Sequence, residues 1–351
     1  MPLHEDIIGT GDYLLPIDYL HLLVTFSALR GVTANELLEG SGILVEQLIQ
    51  NPAHVRIDSF NQAIDNLIDL DSDPLLPFEF GLLLSKQSHG PLGLAGQSSG
   101  NLREYFEVLQ SYIASRTGYT LEIPTRSQGA FFRISVVVTP PNASAAVIKF
   151  HVISNLVSIA WIVRMLTQGQ SDKFEEVIQL VWPAPDIRVP DHLVPAGASL
   201  LFHQEDNLLQ YKLAHMRTAL KSRNTTTQKV ALEQCDALMA FPPAGAGITE
   251  QIVWVFQRTY PELPTIRQVS HHLNISPATL KRRLNAVGTT FQELKNHERF
   301  SRVTRMLKCS NLPLSKIAHD SGYSDASNLV KAFRAYVGQT PAQYRNAHKG
   351  G

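Results

Sequence analysis

Two stretches decide the fold: TIRQVSHHLNISPATLKRRL, residues 265–284, and LSKIAHDSGYSDASNLVKAFR, residues 314–334. In the first, Ile266, Val269 and Leu273 recur at helical spacing and form a buried stripe. Asn274 and Ile275 make a turn. Ser276 then caps a second helix, and Pro277 takes its first position, where a missing N–H costs nothing. Leu280 and Leu284 point back to the core, which leaves Ala278, Thr279, Lys281 and Arg282 outward. The second stretch follows the same plan. Leu314, Ile317 and Ala318 pack one helix, and Gly322 supplies the turn, where a positive φ is needed. Tyr323, Leu329 and Phe333 form the core side of the next helix, with Ser327, Asn328, Val330, Lys331 and Arg334 facing out or partly out. The amphipathic run Phe291–Cys309 reads as one continuous helix between them. The spacing thus predicts an all-α domain over 248–351. It holds two helix-turn-helix units, at about 265–285 and 314–335, joined by a linker helix at about 291–309.

Charge divides the chain at the same place. The net formal charge of the 351 residues is zero. Residues 244–351 nevertheless hold 15 Lys+Arg against 6 Asp+Glu, a net of +9, and residues 1–243 hold 16 against 25, a net of −9. A cationic C-terminal third on an anionic body implies that one end meets a polyanion. The composition, 44% hydrophobic and 18% charged, is that of a folded globular chain of about two domains. Cys235 and Cys309 are too few for a disulfide framework or a four-cysteine zinc site. The N-terminus, MPLHEDIIGTGDYLL, has no basic n-region or apolar h-region, so no secretory signal is expected.

The N-terminal part begins helical, over Asp18–Arg30, Thr33–Leu38, Ser59–Leu70 (with Ser59 as its cap) and Leu75–Lys86. HGPLGLAGQSSG, residues 89–100, reads as a Gly-rich turn, and Asn101–Arg116 resumes as helix. Short β-branched and aromatic runs at Tyr119–Thr125 and Ala130–Thr139 read as strands, as do Phe174–Trp182, Ser199–Phe202 and Leu208–Tyr211. A long apolar helix spans 142–167. Lys149 and Arg164 bracket only fourteen of its residues, short of the roughly 20 a membrane span needs, so a buried core helix is expected and no membrane association. The sum is an α+β domain over 1–220, helices on an antiparallel sheet, and a linker over 221–247 that includes PPAGAG at 242–247.

The C-terminal region resembles the DNA-binding domain of the AraC/XylS family of bacterial transcriptional regulators. The carriers are SPATLKRRLNAVGTTFQEL and IAHDSGYSDASNLVKAFRAYVGQTPAQYR, with Gly322, Tyr323, Ser327, Phe333, Gly338, Pro341, Tyr344 and Arg345 in register. Leu329 stands where Phe is common, Lys331 where Arg is common and Val303 where Ala is usual. The resemblance implies that outward residues of each second helix read bases: Ala278, Lys281 and Arg282 in the first unit, and Ser327, Asn328 and Lys331 in the second, with the outward Thr279 a further DNA-binding candidate. Arg283 and Arg334 fall where phosphate contacts position the protein without specifying sequence. Lys331 lacks the bidentate fork of Arg for guanine. A helix of about 10–12 Å diameter fits the major groove, and two on one rigid linker enter it about one turn apart. For the basic run Lys281-Arg282-Arg283, a solvated helix face is the alternative reading.

The N-terminal part resembles, more loosely, the arabinose-binding-domain-like sensor of AraC-type regulators of the ornithine-utilisation-regulator type. LLEGSGI (37–43), SHGPLGLAGQSSGNLREYFEVLQSY (88–112) and VWPAP (181–185) carry it. It implies a small-molecule effector, and the name is no evidence for arabinose. On the long helix, His151, Asn155 and Ser158 fall on one face, with Trp161 beyond them. His151, Asn155 and Trp161 are the ligand-binding candidates, although a satisfied polar stripe inside a core is the commoner fate of such a face. His89 beside Gly90 reads more readily as a turn residue. No His/Cys spacing suits a metal, and no metal or other cofactor is expected. No catalytic residue is expected either: there is no HExxH, Walker loop or CxxC. A DNA-repair variant of the family needs an acceptor-cysteine cluster, and no cysteine precedes Cys235. The expected protein is a sequence-specific regulator, most simply a cytoplasmic, nucleoid-associated activator. It would work as a homodimer with promoter DNA, RNA polymerase and an effector. The alternative is a regulator without a ligand, controlled by abundance or a protein partner.

Overall fold

A computed structural model describes residues 14–49, 54–87, 89–117, 121–123, 125–138, 143–167, 174–240, 247–259, 262–309 and 312–348. These fall into two compact units that part at Leu238–Met239.

The first unit opens with β1 (Leu14–Pro16), α1 (Ile17–Leu29), α2 (Ala34–Leu38) and α3 (Val45–Ile49). β2 (His54–Arg56), antiparallel to β1, leads into α4 (Ile57–Leu70). Ile57, Phe60, Ile64 and Leu67 are buried at helical spacing along α4. That helix starts two residues before Ser59, at an Arg56 cap without a side-chain hydrogen bond, so Ser59 lies inside it. α5 (Leu76–Leu84) follows, and then α6 (Gly90–Gln97), where the sequence reading placed a Gly-rich turn. Its glycines weaken the helix locally but fit it to its neighbours: a Cβ on Gly96 would stand 3.0 Å from the Tyr105 ring. α7 (Leu102–Tyr112) begins at Asn101, whose side chain accepts from the Glu104 N–H at 3.0 Å, and α8 (Ala114–Thr117) ends this helical stretch.

The strands come next: β3 (Leu121–Glu122), β4 (Thr125–Gln128), β5 (Phe131–Ser135) and β6 (Val137–Val138), then α9 (Ala145–Leu166). β7 (Glu176–Gln179), β8 (Ala198–Leu201) and β9 (Leu208–Lys212) complete a five-stranded sheet in the order β4-β5-β9-β7-β8. Phe132 pairs with Tyr211, and Leu209 lies between Ile134 and Ile178, so alternate residues put one face into the core. The sheet is mixed, which corrects the antiparallel expectation: β7 and β8 run parallel. Parallel neighbours need a crossover of about a dozen residues or more, and the Pro-rich segment 180–197 supplies it. Prolines in sequence announce a loop but not the side on which it returns.

α9 is long and apolar enough to cross a membrane by composition, yet it is the central core helix. Val147, Phe150, Leu156, Val157, Ala160 and Val163 are buried, and Ser144 caps its start by accepting from the Val147 N–H at 3.1 Å. α5 packs tightly on it because position 81 is glycine: a Cβ there would stand 2.7 Å from the Ser154 carbonyl oxygen. α10 (Thr225–Ala240) buries Ala231 and Cys235 in this same core. Much of the stretch read as linker therefore belongs to the first unit. Its polar composition hid the two small residues that dock it. Residues 242–246 of PPAGAG lie outside the described residues.

The second unit is helical: α11 (Ile248–Arg258), α12 (Ile266–His272), α13 (Pro277–Ala286), α14 (Phe291–Cys309), α15 (Leu314–Asp320), α16 (Ala326–Val337) and α17 (Pro341–His348). It has two separate apolar clusters. Ile252, Val255, Phe256, Val269, Leu280, Leu284 and Leu294 form one. Phe300, Val303, Leu307, Ile317, Ala318, Leu329 and Phe333 form the other. α14 contributes to both, and near its middle the buried Arg302 donates to Glu298 and to the Phe256 carbonyl, each at 2.9 Å. Leu329 and Val303, the departures from the family pattern, are wholly buried and serve as core.

Candidate nucleic-acid interface

The chain turns sharply between α12 and α13. Thr265 opens α12 with a capping box, and Asn274 takes φ 53° to reverse direction. Ser276 Oγ accepts from the Thr279 N–H at 3.1 Å, and Pro277 follows as the first helical residue. Leu280 and Leu284 anchor the inner face of α13. Ala278, Lys281, Arg282 and Arg283 are exposed, while Thr279 is half-buried with its hydroxyl 2.8 Å from that of Ser276.

The α15–α16 pair has the same build. Gly322 takes φ +76°, as its turn requires, and Asp325 accepts from the Asn328 N–H at 2.8 Å. This capping holds the Asp325 carboxyl below the usual carboxylate range. Asp325 was missed in the sequence, although an Asp three residues before Asn328, at the head of an apolar-periodic run, is a cap signal. Ser327, Lys331 and Arg334 are exposed and line one shallow depression with Ala326 and Val330. Asn328 is exposed too, but its amide nitrogen donates to Ser324 Oγ at 2.7 Å and to Asp325 at 2.9 Å. Its amide is thus committed to the cap, which costs it the two-pronged hydrogen bond that reads adenine.

Two sets stand out among the described cations of this unit; outside them, Arg267 on α12 is exposed and unpaired as well, and Arg299 on α14 lies over the Tyr323 ring. Lys295 donates to the carbonyls of Leu263 and Pro264, Arg345 to that of Leu312, Lys316 to Asp320, and Arg302 to Glu298 and Phe256. These hold the fold together. The side chains of Lys281, Arg282, Arg283, Lys331 and Arg334 make no hydrogen bond or ion pair among the described residues. They stand on α13 and α16 with their charge uncompensated, the state in which a cation meets phosphate or a base edge at least cost.

The first unit holds a cavity of about 110 Å³, roughly ten times what one ordered water needs. His151, Asn155 and Ser158 line it, as their common face on α9 predicts. Trp161 does not: it lies further along α9 and donates Nε1–H to the Leu193 carbonyl at 3.2 Å. His89 lines the cavity as well as forming the turn before α6. Burial pushes both His89 and His151 down to about 4, so both rings are neutral at pH 7. Among the described residues no group of three His, Cys, Asp or Glu side chains is placed to hold a metal ion. GQSSG, residues 96–100, matches G-x-S-x-G, but Ser98 is buried at the end of α6 and not on a strand-to-helix elbow.

Residues 31–220 match the family described as the arabinose-binding domain of AraC transcription regulators, and residues 269–347 match a helix-turn-helix domain. The ornithine utilization regulator of Pseudomonas aeruginosa is 26% identical over 336 residues, 95% of this chain and 97% of its own. The regulator VirS of Mycobacterium tuberculosis is 32% identical over 120 residues, 34% of this chain and 35% of its own. The crystal structure of the transcriptional regulator CdpR from Pseudomonas aeruginosa aligns with a TM-score of 0.43 and 18% identity, covering 93% of this chain and 97% of that one. These relatives are regulators and not enzymes. With more than half its length matched by the sensor-domain family and its cationic end by a helix-turn-helix domain, the chain belongs to the AraC family of DNA-binding transcription regulators.

Proposed function

We propose that this regulator is an effector-responsive activator that works as a cytoplasmic homodimer. The α12–α13 and α15–α16 pairs act as two helix-turn-helix units on a rigid linker, α14. Each lays its second helix into the major groove. The observation that carries the reading is the set of five uncompensated cations on the exposed faces of α13 and α16. Lys281 and Arg282 read base edges, Arg283 and Arg334 hold phosphates, and Lys331 makes a single-pronged contact. Ser327 contributes a hydroxyl, Ala278 a methyl for thymine, and Thr279 supports the cap from its half-buried position. Asn328 acts chiefly through its carbonyl oxygen.

The first unit, 14–238, binds the effector in its cavity and dimerises. The effector favours one arrangement of the DNA-binding units over another, and this gives productive contact with RNA polymerase. The reading is tested by footprinting on promoter fragments and by transcription from them in vitro, with and without metabolite pools. Protection of two adjacent major-groove faces, with output that depends on a metabolite, is the expected result. Protection with output indifferent to every pool leaves a regulator controlled by its abundance or by a protein partner. Absence of any salt-sensitive affinity for duplex DNA refutes the reading as a whole.

A further inference from the structure

We propose that the cavity of the first unit takes an uncharged, largely apolar small molecule bearing one hydroxyl or carbonyl group, and that this group pairs with His89 Nε2. The proposal rests on the reading that this cavity is the effector site, and it names the class of effector.

Three observations carry it. The first is charge. Among the described lining residues there is no Asp, Glu, Lys or Arg. Among the described lining residues His89 and His151 carry the titratable nitrogens, and burial keeps both neutral, with Arg116 adding to the effect at His89. A diamino acid would bring two ammonium groups into an apolar enclosure with no acidic lining residue, and the one cation close behind the lining, Arg116 against Tyr19 and His89, would repel them.

The second is the state of the polar lining groups. Asn155 Nδ2 and Ser154 Oγ both donate to the His151 carbonyl, at 2.8 and 3.2 Å. His151 Nε2 lies 2.9 Å from Asn61 Oδ1. Tyr19 OH lies 3.3 Å from His89 Nδ1 and also accepts from Arg116 Nε. His89 Nε2 is left buried without a hydrogen bond, although the Leu84 backbone lies close enough to act on the ring, and the Ser158 hydroxyl and Gln97 amide line the space without a side-chain partner among the described residues. A pentose carries hydroxyls around its whole ring while most of the lining is apolar, so several would be buried unpaired, each weakening binding roughly tenfold. A single hydroxyl suits Nε2 whichever ring nitrogen carries the proton, because it both donates and accepts.

The third is fixity. His89 sits at φ 52°, a left-handed conformation that a non-glycine residue holds only where its surroundings impose it. Its ring packs near Tyr19 at 6.1 Å between centroids, and Phe60, Phe80 and Tyr105 supply flat apolar walls around the space. The His89 ring, with its unpartnered nitrogen, is therefore held in place at the wall of an aromatic-lined void, as an orienting group in a small-molecule site is.

The test is calorimetric titration of the full chain with probes that share one body: 1-naphthol, 1-methylnaphthalene, 1-naphthoate and 1-naphthylmethylammonium, beside L-ornithine and L-arabinose. The expected result is that 1-naphthol binds at least tenfold tighter than either charged probe, and that ornithine and arabinose give no heat at millimolar concentration. His89→Leu should bring 1-naphthol down to the affinity of 1-methylnaphthalene and leave the latter unchanged. If His89→Leu fails to fold, the ranking of the probes on the unaltered chain decides the class. A charged probe, ornithine or arabinose binding as tightly as 1-naphthol overturns the class. If that binding is abolished by the cavity-filling change Ile159→Trp, the cavity remains the effector site and only its chemistry was misjudged. No binding by any probe overturns the class. If, in addition, Ile159→Trp leaves promoter output unaltered in the presence of metabolites, the cavity as effector site falls with it.

Discussion

Removing Arg283 by Arg283→Ala tests the separation of phosphate-holding from base-reading cations. Five cations, Lys281, Arg282, Arg283, Lys331 and Arg334, are uncompensated on the two exposed helix faces. If all five met phosphate, counterion release would give a slope of log affinity against log salt of about −4.5 per chain bound. If Lys281, Arg282 and Lys331 met base edges instead, two phosphate contacts would give about −1.8. Between 50 and 200 mM salt those slopes correspond to affinity losses of roughly 500-fold and 12-fold. Arg283→Ala and Arg334→Ala should each make the slope shallower by about 0.9 and weaken all sequences alike. Lys281→Ala and Arg282→Ala should cost about 1–3 kcal/mol on the cognate site and relax preference at one base position. Because none of the five side chains supports a neighbour, folding should be unchanged within about 0.5 kcal/mol. The assay is fluorescence anisotropy with cognate and scrambled duplexes at four salt concentrations. A wild-type slope shallower than −1, or an Arg283→Ala variant identical to wild type in both affinity and slope, refutes the assignment of α13 to the groove.

Other outcomes follow from the packing. Arg302→Ala takes a buried cation from Glu298 and a donor from the Phe256 carbonyl, a loss of about 3–5 kcal/mol by calorimetry. A single change costing under 1 kcal/mol would show that the pair is not what ties α14 to α11. Gly81→Ala forces α5 off the Ser154 carbonyl and should cost about 1–3 kcal/mol, read as a lower melting temperature; an unchanged melting temperature would mean that α9 yields there. Glu176 is buried against Tyr211, and burial pushes its carboxyl up to about 7. The folded state therefore holds a proton that the unfolded chain releases near its ordinary value, and stability falls as pH rises from about 4.5 to 7. Glu176→Gln should flatten that fall, by at most about 3 kcal/mol between the two limits. Equal pH dependence of the two proteins in urea unfolding would contradict a protonated Glu176.

The helical unit was legible because its signals are local. Ser276 and Pro277, the stop at Asn274, Gly322 and the spacing of Leu280, Leu284, Leu329 and Phe333 each fix a helix end or a face within a few residues. The first unit was legible in its elements but less so in their assembly. The strand at β7 and the strand at β8 were both visible, yet their parallel pairing depends on a long Pro-rich return whose path no local residue dictates. α6 reads as a turn in the sequence because each glycine disfavours helix by about 1 kcal/mol. What outweighs them is the close approach of Tyr105, a contact with no trace in the local pattern.

The functional groups divide along the same line, and for the same reason. Cations on an amphipathic helix announce themselves, since the residues that bury the other face also say which way the charge points. A cavity is a place where side chains fail to meet, and its lining comes from α1, α4, α5, α6, α7 and α9 at once. On α9 the face shared by His151, Asn155 and Ser158 could be read, because one helix carries it. Trp161 looked like its continuation but turns to the Leu193 carbonyl, which lies 32 residues away in sequence. His89 looked like a turn residue and is one, yet it also lines the void. A binding group is thus readable when the element that aims it also carries its spacing. It is hidden when a second element, distant in sequence, decides whether a polar atom is paired or left waiting.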